Sequence, residues 1–199
     1  KGFHAVALHD GIYQARLHAL EVEAVVAWCG QLQVRVIGID APCRWSADGR
    51  ARPAERQLMA QGIRCFATPT RERALGHPRN YYGWMLSGEA LYRAIEPSHP
   101  LCAGIPLDPV RPCCFETFPH AICQALAAQP VPARHKATLR RQLLARVGVE
   151  SPHLTNIDWI DAALCAVAAH RLAAGHSCTA YGEPATGLII VPGQQRPGE

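Results

Sequence analysis

Residues 34–40 read Val34-Arg35-Val36-Ile37-Gly38-Ile39-Asp40, and this stretch decides the fold. Its β-branched, nearly all-apolar composition predicts a strand covered on both faces, of the kind found in the middle of a sheet. Helices must supply the cover, so the fold class is α/β. Upstream, residues 2–8 and 12–20 read as extended, with His9-Asp10-Gly11 as the turn of a β-hairpin. Residues 22–29 form a short apolar helix-compatible stretch, closed by Gly30 in the position of a helix stop. Downstream, Pro53 opens a helix that Gly62 ends. The pattern is weak over residues 69–112, with one helix around residues 80–95 and a proline-rich stretch after it; an insertion or lid is expected there. Residues 112–120 predict a short strand ending near Glu116, followed by a helix from about 121 to 128. Residues 134–147 place Leu139, Leu143 and Val147 at steps of four, which predicts an amphipathic helix with a basic outer face. Residues 157–174 are apolar nearly all round and predict a buried helix; residues 181–187 read as a turn-rich loop and residues 188–191 as a last strand. A single domain over residues 1–199 accommodates all of this.

Composition bounds the function. The chain has 199 residues, 49% hydrophobic and 18% charged, which suits one compact domain with a substantial core. A net charge of +4 permits an anionic partner such as nucleic acid without requiring one. The nine cysteines are odd in number, irregularly spaced and without a C-x-x-C pair, so they read as small buried hydrophobes in a reducing, cytoplasmic setting, and no zinc site is assigned. No apolar run approaches the roughly 20 residues that span a bilayer. The start also lacks the basic-then-apolar pattern of an export signal, so neither membrane insertion nor export by these signals is expected.

Four acids draw the chemistry. Asp40 closes its strand, and the carboxyl edge of an open α/β sheet is where ligands bind; the alternative is a cap for the Ala41-Pro42 turn. Glu116 ends the second buried strand between Phe115 and Phe118 and needs a partner there, either a ligand or an arginine such as Arg52 or Arg111. Asp158 and Asp161 share one helix face, three residues apart. Asp158 equally fits a capping role at the helix start, whereas Asp161 lies deeper among Ile160, Leu164 and Cys165. Clustered carboxylates stay ionised only beside a cation, and hard oxygen ligands suit Mg²⁺ or Mn²⁺. The ten histidines are scattered, and only His120, four residues after Glu116, is kept as a site neighbour.

The series Gly38-Ile-Asp-Ala-Pro42, Arg52-x-x-Glu55, Glu116-Thr-Phe-Pro-His120, Lys136 before a basic helix, Asp158-x-x-Asp161-Ala-Ala and Gly182-Glu-Pro-Ala-Thr-Gly187-Leu-Ile-Ile-Val-Pro192 resembles domain-of-unknown-function family 429. This is a bacterial family whose members are described as predicted nucleases of ribonuclease H-like fold. The resemblance covers nearly the whole chain in order. It implies a mixed central sheet flanked by helices, with Asp40 matching the fourth-strand acid, Asp161 the helix acid with Asp158 beside it, and Glu116 a family-specific acid on the fifth strand. It also implies that the chain opens, at Lys1-Gly-Phe-His4, on the second strand, leaving the first strand and its acid outside; Asp10, in a turn, is a poor replacement.

The leading expectation is a metal-dependent nuclease or phosphodiesterase. Asp40 and Asp161 are expected as metal ligands, Asp158 as a further one, and Glu116 as a third ligand or water-orienting base. Arg52, Glu55, His120, Lys136 and Glu183 are the substrate-binding candidates. The basic run Arg134, His135, Lys136, Arg140, Arg141 and Arg146 reads as a solvated helix face or a phosphate contact. The rival readings are a non-catalytic module that binds nucleic acid or protein on the same fold, and a phosphotransfer enzyme of actin-like fold.

Overall fold

The computed structural model describes residues 2–108, 111–127, 131 and 136–193. Among these, the chain forms six strands and seven helices. Strands β1 (Phe3–His9) and β2 (Ile12–Ala19) pair antiparallel around Asp10-Gly11. Both turn residues have positive φ, 50° and 79°, as a two-residue type I′ turn requires and as an Asp-Gly pair tolerates. Helix α1 (Val22–Gln31) follows, then β3 (Val36–Ile39), α2 (Pro53–Ala60), α3 (Arg71–Leu75) and α4 (Gly83–Ile95). The second half runs β4 (Cys113–Glu116), α5 (Pro119–Ala127), α6 (Lys136–Arg146), α7 (Ile157–Ala173), β5 (Cys178–Glu183) and β6 (Gly187–Pro192).

The main sheet has the order β3-β4-β6-β5, with β3, β4 and β6 parallel and β5 antiparallel at one edge. Strand β3 is therefore an edge strand, not a central one, and Val36, Ile37 and Gly38 are only partly buried. The strand covered on both faces is β4, whose four residues are all buried. The apolar run at 34–40 has its physical reason in packing on both faces. Val36 packs in the core under α7, while Ile37 and Ile39 pack in the core that α1 and α4 share with Cys114.

The β1-β2 hairpin enters the same two cores without joining the sheet. Val6, Leu8 and Tyr13 pack against the core that contains the α7 residues Ile160, Ala163 and Leu164, whereas Phe3, Leu17 and Ala19 belong to the core that contains the α1 residues Val25 and Cys29. Helices α1 and α7 thus clamp hairpin and sheet from opposite sides, although no backbone ladder joins β1 to β3.

Three local expectations need correction. Gly30 lies inside α1, and the left-handed residue past the helix end is Gln33, with φ 50°. Residues 181–183, read as loop, belong to β5, so the connection to β6 is only residues 184–186. The exposed basic face of α6 excludes Arg140, which is buried. Arg134 and His135, at the expected start of that helix, and residue 128, at the expected end of α5, lie outside the described residues.

Candidate functional site

Strand alternation sorts the site. Along β3, Val36 and Gly38 face α7, while Ile37 and Ile39 face the other side, and on β4 Phe115 matches the first set and Cys114 and Glu116 the second; the same alternation carried one residue past each strand end assigns Asp40 and Thr117 to the first set. Asp40 and Glu116 are therefore sent to opposite faces.

On the α7 face, Gly38 lets strand and helix meet. A Cβ at this position would lie 2.7 Å from the Cys165 carbonyl oxygen. From that contact, Asp40 is two residues along β3, about 7 Å. Asp161 is one turn back along α7, about 6 Å. The two carboxyls lie within electrostatic reach of one another: Asp40 is pushed up to about 7, first by burial, then by the negative charge of Asp161, with Arg140 opposing and Glu116 adding. The Asp40 side chain is crowded by protein yet still reached by water, so solvent tempers the shift and its upward direction is what matters. No described residue donates a hydrogen bond to it.

Asp161 is held by the Arg140 guanidinium in an ion pair between α6 and α7. Burial raises its carboxyl, Arg140 opposes the rise, and the Asp158 charge adds to it. His120, half-buried on the first turn of α5, has its Nε2 3.3 Å from the Gln124 amide nitrogen. Burial and the positive charges of Arg140 and Lys136 lower its pKa, which keeps the ring neutral at pH 7. Thr117 follows Glu116, and its buried hydroxyl has no hydrogen-bond partner among the described residues. Asp40, Asp161, Asp158, His120 and Lys136 are thus one group, and Arg140 is its central cation.

The opposite face carries a closed cluster. Arg52 donates to both oxygens of Glu116, Nη1 to Oε2 at 2.9 Å and Nη2 to Oε1 at 2.6 Å, and its Nε donates to Glu55 at 2.8 Å. The Cys43 amide completes the Glu116 side at 2.9 Å. Glu55 accepts from the Arg52 amide at 2.9 Å and from the Thr68 amide and hydroxyl, so Arg52 and Glu55 are both the capping pair of α2 and the floor of the cluster. Burial works against the Arg52 charge, but its bonds to Glu116 and Glu55 hold the guanidinium protonated. Glu183 stands exposed at the end of β5 and takes part in neither group.

A family model described as "Protein of unknown function (DUF429)" matches residues 1–186. The chain belongs to that family. No curated protein and no solved structure matches it. Within the DUF429 chain, sequence reasoning missed Thr117 and the Cys43 amide, and read Arg140 as part of a solvated or phosphate-contacting helix face where it is the buried partner of Asp161. Arg140 had a signal, because it stands three and four residues before Leu143 and Leu144 and so shares their buried face.

Asp40 and Asp161 fit a hard divalent cation. Mg²⁺ typically takes one or two protein carboxylates and keeps waters in its other positions. Asp40, without a hydrogen-bond donor and beside a like charge, has an open ligand's chemistry. Glu116 does not fit, since both of its oxygens are taken by Arg52 and the Cys43 amide. Among the described residues no three His, Cys, Asp or Glu side chains are grouped around one ion position.

Proposed function

We propose that this protein is a divalent-metal-dependent phosphodiesterase acting on nucleic acid, built on a ribonuclease H-like fold. The observation that carries the reading is the close packing of β3 on α7 at Gly38, which sets Asp40, just past the carboxyl end of β3, within electrostatic reach of Asp161. The parallel β3-β4-β6 core with helices on both faces supports the fold. The nine free cysteines support a cytoplasmic setting. No described helix is long and apolar enough to cross a membrane.

Mg²⁺ or Mn²⁺ bound there supplies charge neutralisation and an activated water for phosphodiester cleavage. The chain's own groups do the rest. Arg140, buried between α6 and α7, fixes the Asp161 carboxylate and sets positive charge beside the acids. Lys136, exposed at the start of α6, adds a second cation on the same side. His120, neutral and beside both, is placed to exchange a proton with water or a leaving oxygen. The Arg52–Glu55–Glu116 cluster fixes the loop after β3 through the Cys43 amide, which makes Glu116 a positioning residue.

Mn²⁺ titration by calorimetry tests this reading in the parent chain and in Asp40→Asn and Asp161→Asn, with circular dichroism to verify folding. Binding in the parent, reduced at least about tenfold by either change, is expected. A parent that folds and binds no Mn²⁺ overturns it.

A further inference from the structure

Helix α4 is anchored to the sheet by its middle. Gly88 packs directly on Ala41, where a Cβ would overlap that of Ala41, and the Tyr92 hydroxyl donates to the Ala41 carbonyl at 3.0 Å. Ile95, at the end of the helix, shares a core with Ile39 and Cys114, and the His99 ring beyond it lies 2.8 Å from the Val34 carbonyl oxygen. The helix therefore runs antiparallel to β3. Its first turn, with Trp84 four residues or about 6 Å before Gly88, passes beyond the carboxyl end of β3, the end at which Asp40 stands.

Residues 63–82 fold onto that projecting turn. The Ser46 amide donates to the Pro69 carbonyl at 3.1 Å, and Arg71 Nε and Trp45 Nε1 both donate to Glu89, at 2.9 and 3.1 Å. These bonds tie the loop after β3, α3 and α4 to one another, and what they leave outward is aromatic. Phe66, Tyr81 and Trp84 are 62%, 52% and 45% exposed, and they are all the aromatic residues among the exposed large hydrophobics of the described chain. The rings form groups: Phe66 meets Trp84 at 6.5 Å between centroids, and Tyr81 meets Tyr82 at 4.9 Å and His77 at 5.5 Å. Around them, residues 64–84 carry Arg64, Arg71, Arg73 and Arg79 against one acid, Glu72. Arg64, Arg73 and Arg79 are exposed, and among the described residues no carboxylate forms an ion pair with them.

Grouped rings held in water mark a binding surface, and unpaired guanidinium groups beside them select an anionic partner. A duplex keeps its base faces stacked on one another, and an acidic peptide would use the arginines but leave the rings without flat partners. A single strand offers base faces to the rings and phosphates to the arginines. We propose that this surface binds a single-stranded nucleic acid, its bases stacked on Phe66, Tyr81 and Trp84 and its phosphates on Arg64, Arg73 and Arg79. Stacking is indifferent to which base is presented, so the surface holds strands of any sequence. The strand is held at the end of the sheet where Asp40 stands, which narrows the substrate of the proposed phosphodiesterase to single strands. That last step rests on the phosphodiesterase reading, whereas binding itself needs no metal.

Fluorescence anisotropy of labelled oligo-dT and oligo-rU, and of a DNA duplex of the same length, tests the assignment on the full chain in EDTA. Both single strands are expected to bind at least about tenfold more tightly than the duplex. Trp84→Ala is expected to weaken strand binding about tenfold, and Trp84→Phe, which keeps a ring, by no more than about threefold, with circular dichroism to verify folding. Arg79→Ala is expected to lower the slope of log affinity against log salt by about 0.7. The proposal is overturned if the duplex binds as tightly as the strands, or if Trp84→Ala binds as the parent does. It is overturned equally if poly-glutamate displaces the labelled strand as well as unlabelled oligo-dT does, which would make the surface a general site for acidic chains. Strand binding by a parent that takes up no Mn²⁺ would sustain this proposal and sink only the metal reading; Mn²⁺ binding without strand binding would do the reverse.

Discussion

Arg52 serves two carboxylates at once, and this arithmetic of charge sets what its loss costs. Arg52→Met leaves Glu55 and Glu116 buried without a cation, and a loss of about 3–5 kcal/mol in urea unfolding is expected. Glu116→Gln leaves a balanced Arg52–Glu55 pair and loses a charged acceptor only, so about 1–3 kcal/mol is expected. Equal losses for the two variants would contradict the arrangement. Asp40 gives the opposite kind of test. Its carboxyl is raised toward 7, so its contribution to stability is complete below the ordinary carboxylate range and fades as pH climbs through about 7. The melting temperature of Asp40→Asn relative to the parent is therefore expected to rise between pH 5 and pH 8 in the absence of divalent metal; a flat difference would show that the carboxylate ionises freely. Asp40 and Asp161 stand out in the sequence because an acid ending an apolar strand and an acid inside an apolar helix are both costly. The pairing of Glu116 with Arg52 was legible only as one of two options, since strand alternation does not identify which residue 64 positions away will meet it.

Most elements declared themselves where periodicity and punctuation agree. The hairpin around Asp10-Gly11, α2 between Pro53 and Gly62, and the buried α7 all have both signals. Strand β5 did not, because Tyr181-Gly182-Glu183 carries turn-forming residue types in an extended segment, and Gly182 takes φ 94°. Where elements touch, Gly38 is the close contact between β3 and α7. Gly38→Ala would force β3 and α7 apart at the Cys165 carbonyl. A loss of about 1–3 kcal/mol is expected, with weaker Mn²⁺ binding even though no acid has changed. Unaltered affinity in a destabilised variant would separate the packing of α7 from the electrostatic coupling of Asp40 and Asp161.

At the scale of the whole molecule, the sequence foretold an α/β domain but not the division of its strands into a hairpin and a separate four-stranded sheet. Pattern alone marks a strand as covered on its faces and is silent about its hydrogen-bonding edges, which is why β3 read as central. Hairpin and sheet are joined by the side chains that α1 and α7 press together, without ladder bonds between β1 and β3. Amide exchange measured by mass spectrometry is expected to be faster in β1 and β2 than in β4, whose four residues are buried within the sheet. Equal protection would mean that the two pieces open only together. Because its strands pair with each other and, apart from an irregularity at Ala7-Leu8, make their own ladder, the hairpin can detach as a unit at the cost of side-chain contacts, and a protease present at that moment would find its first cut there while the rest of the molecule is still folded.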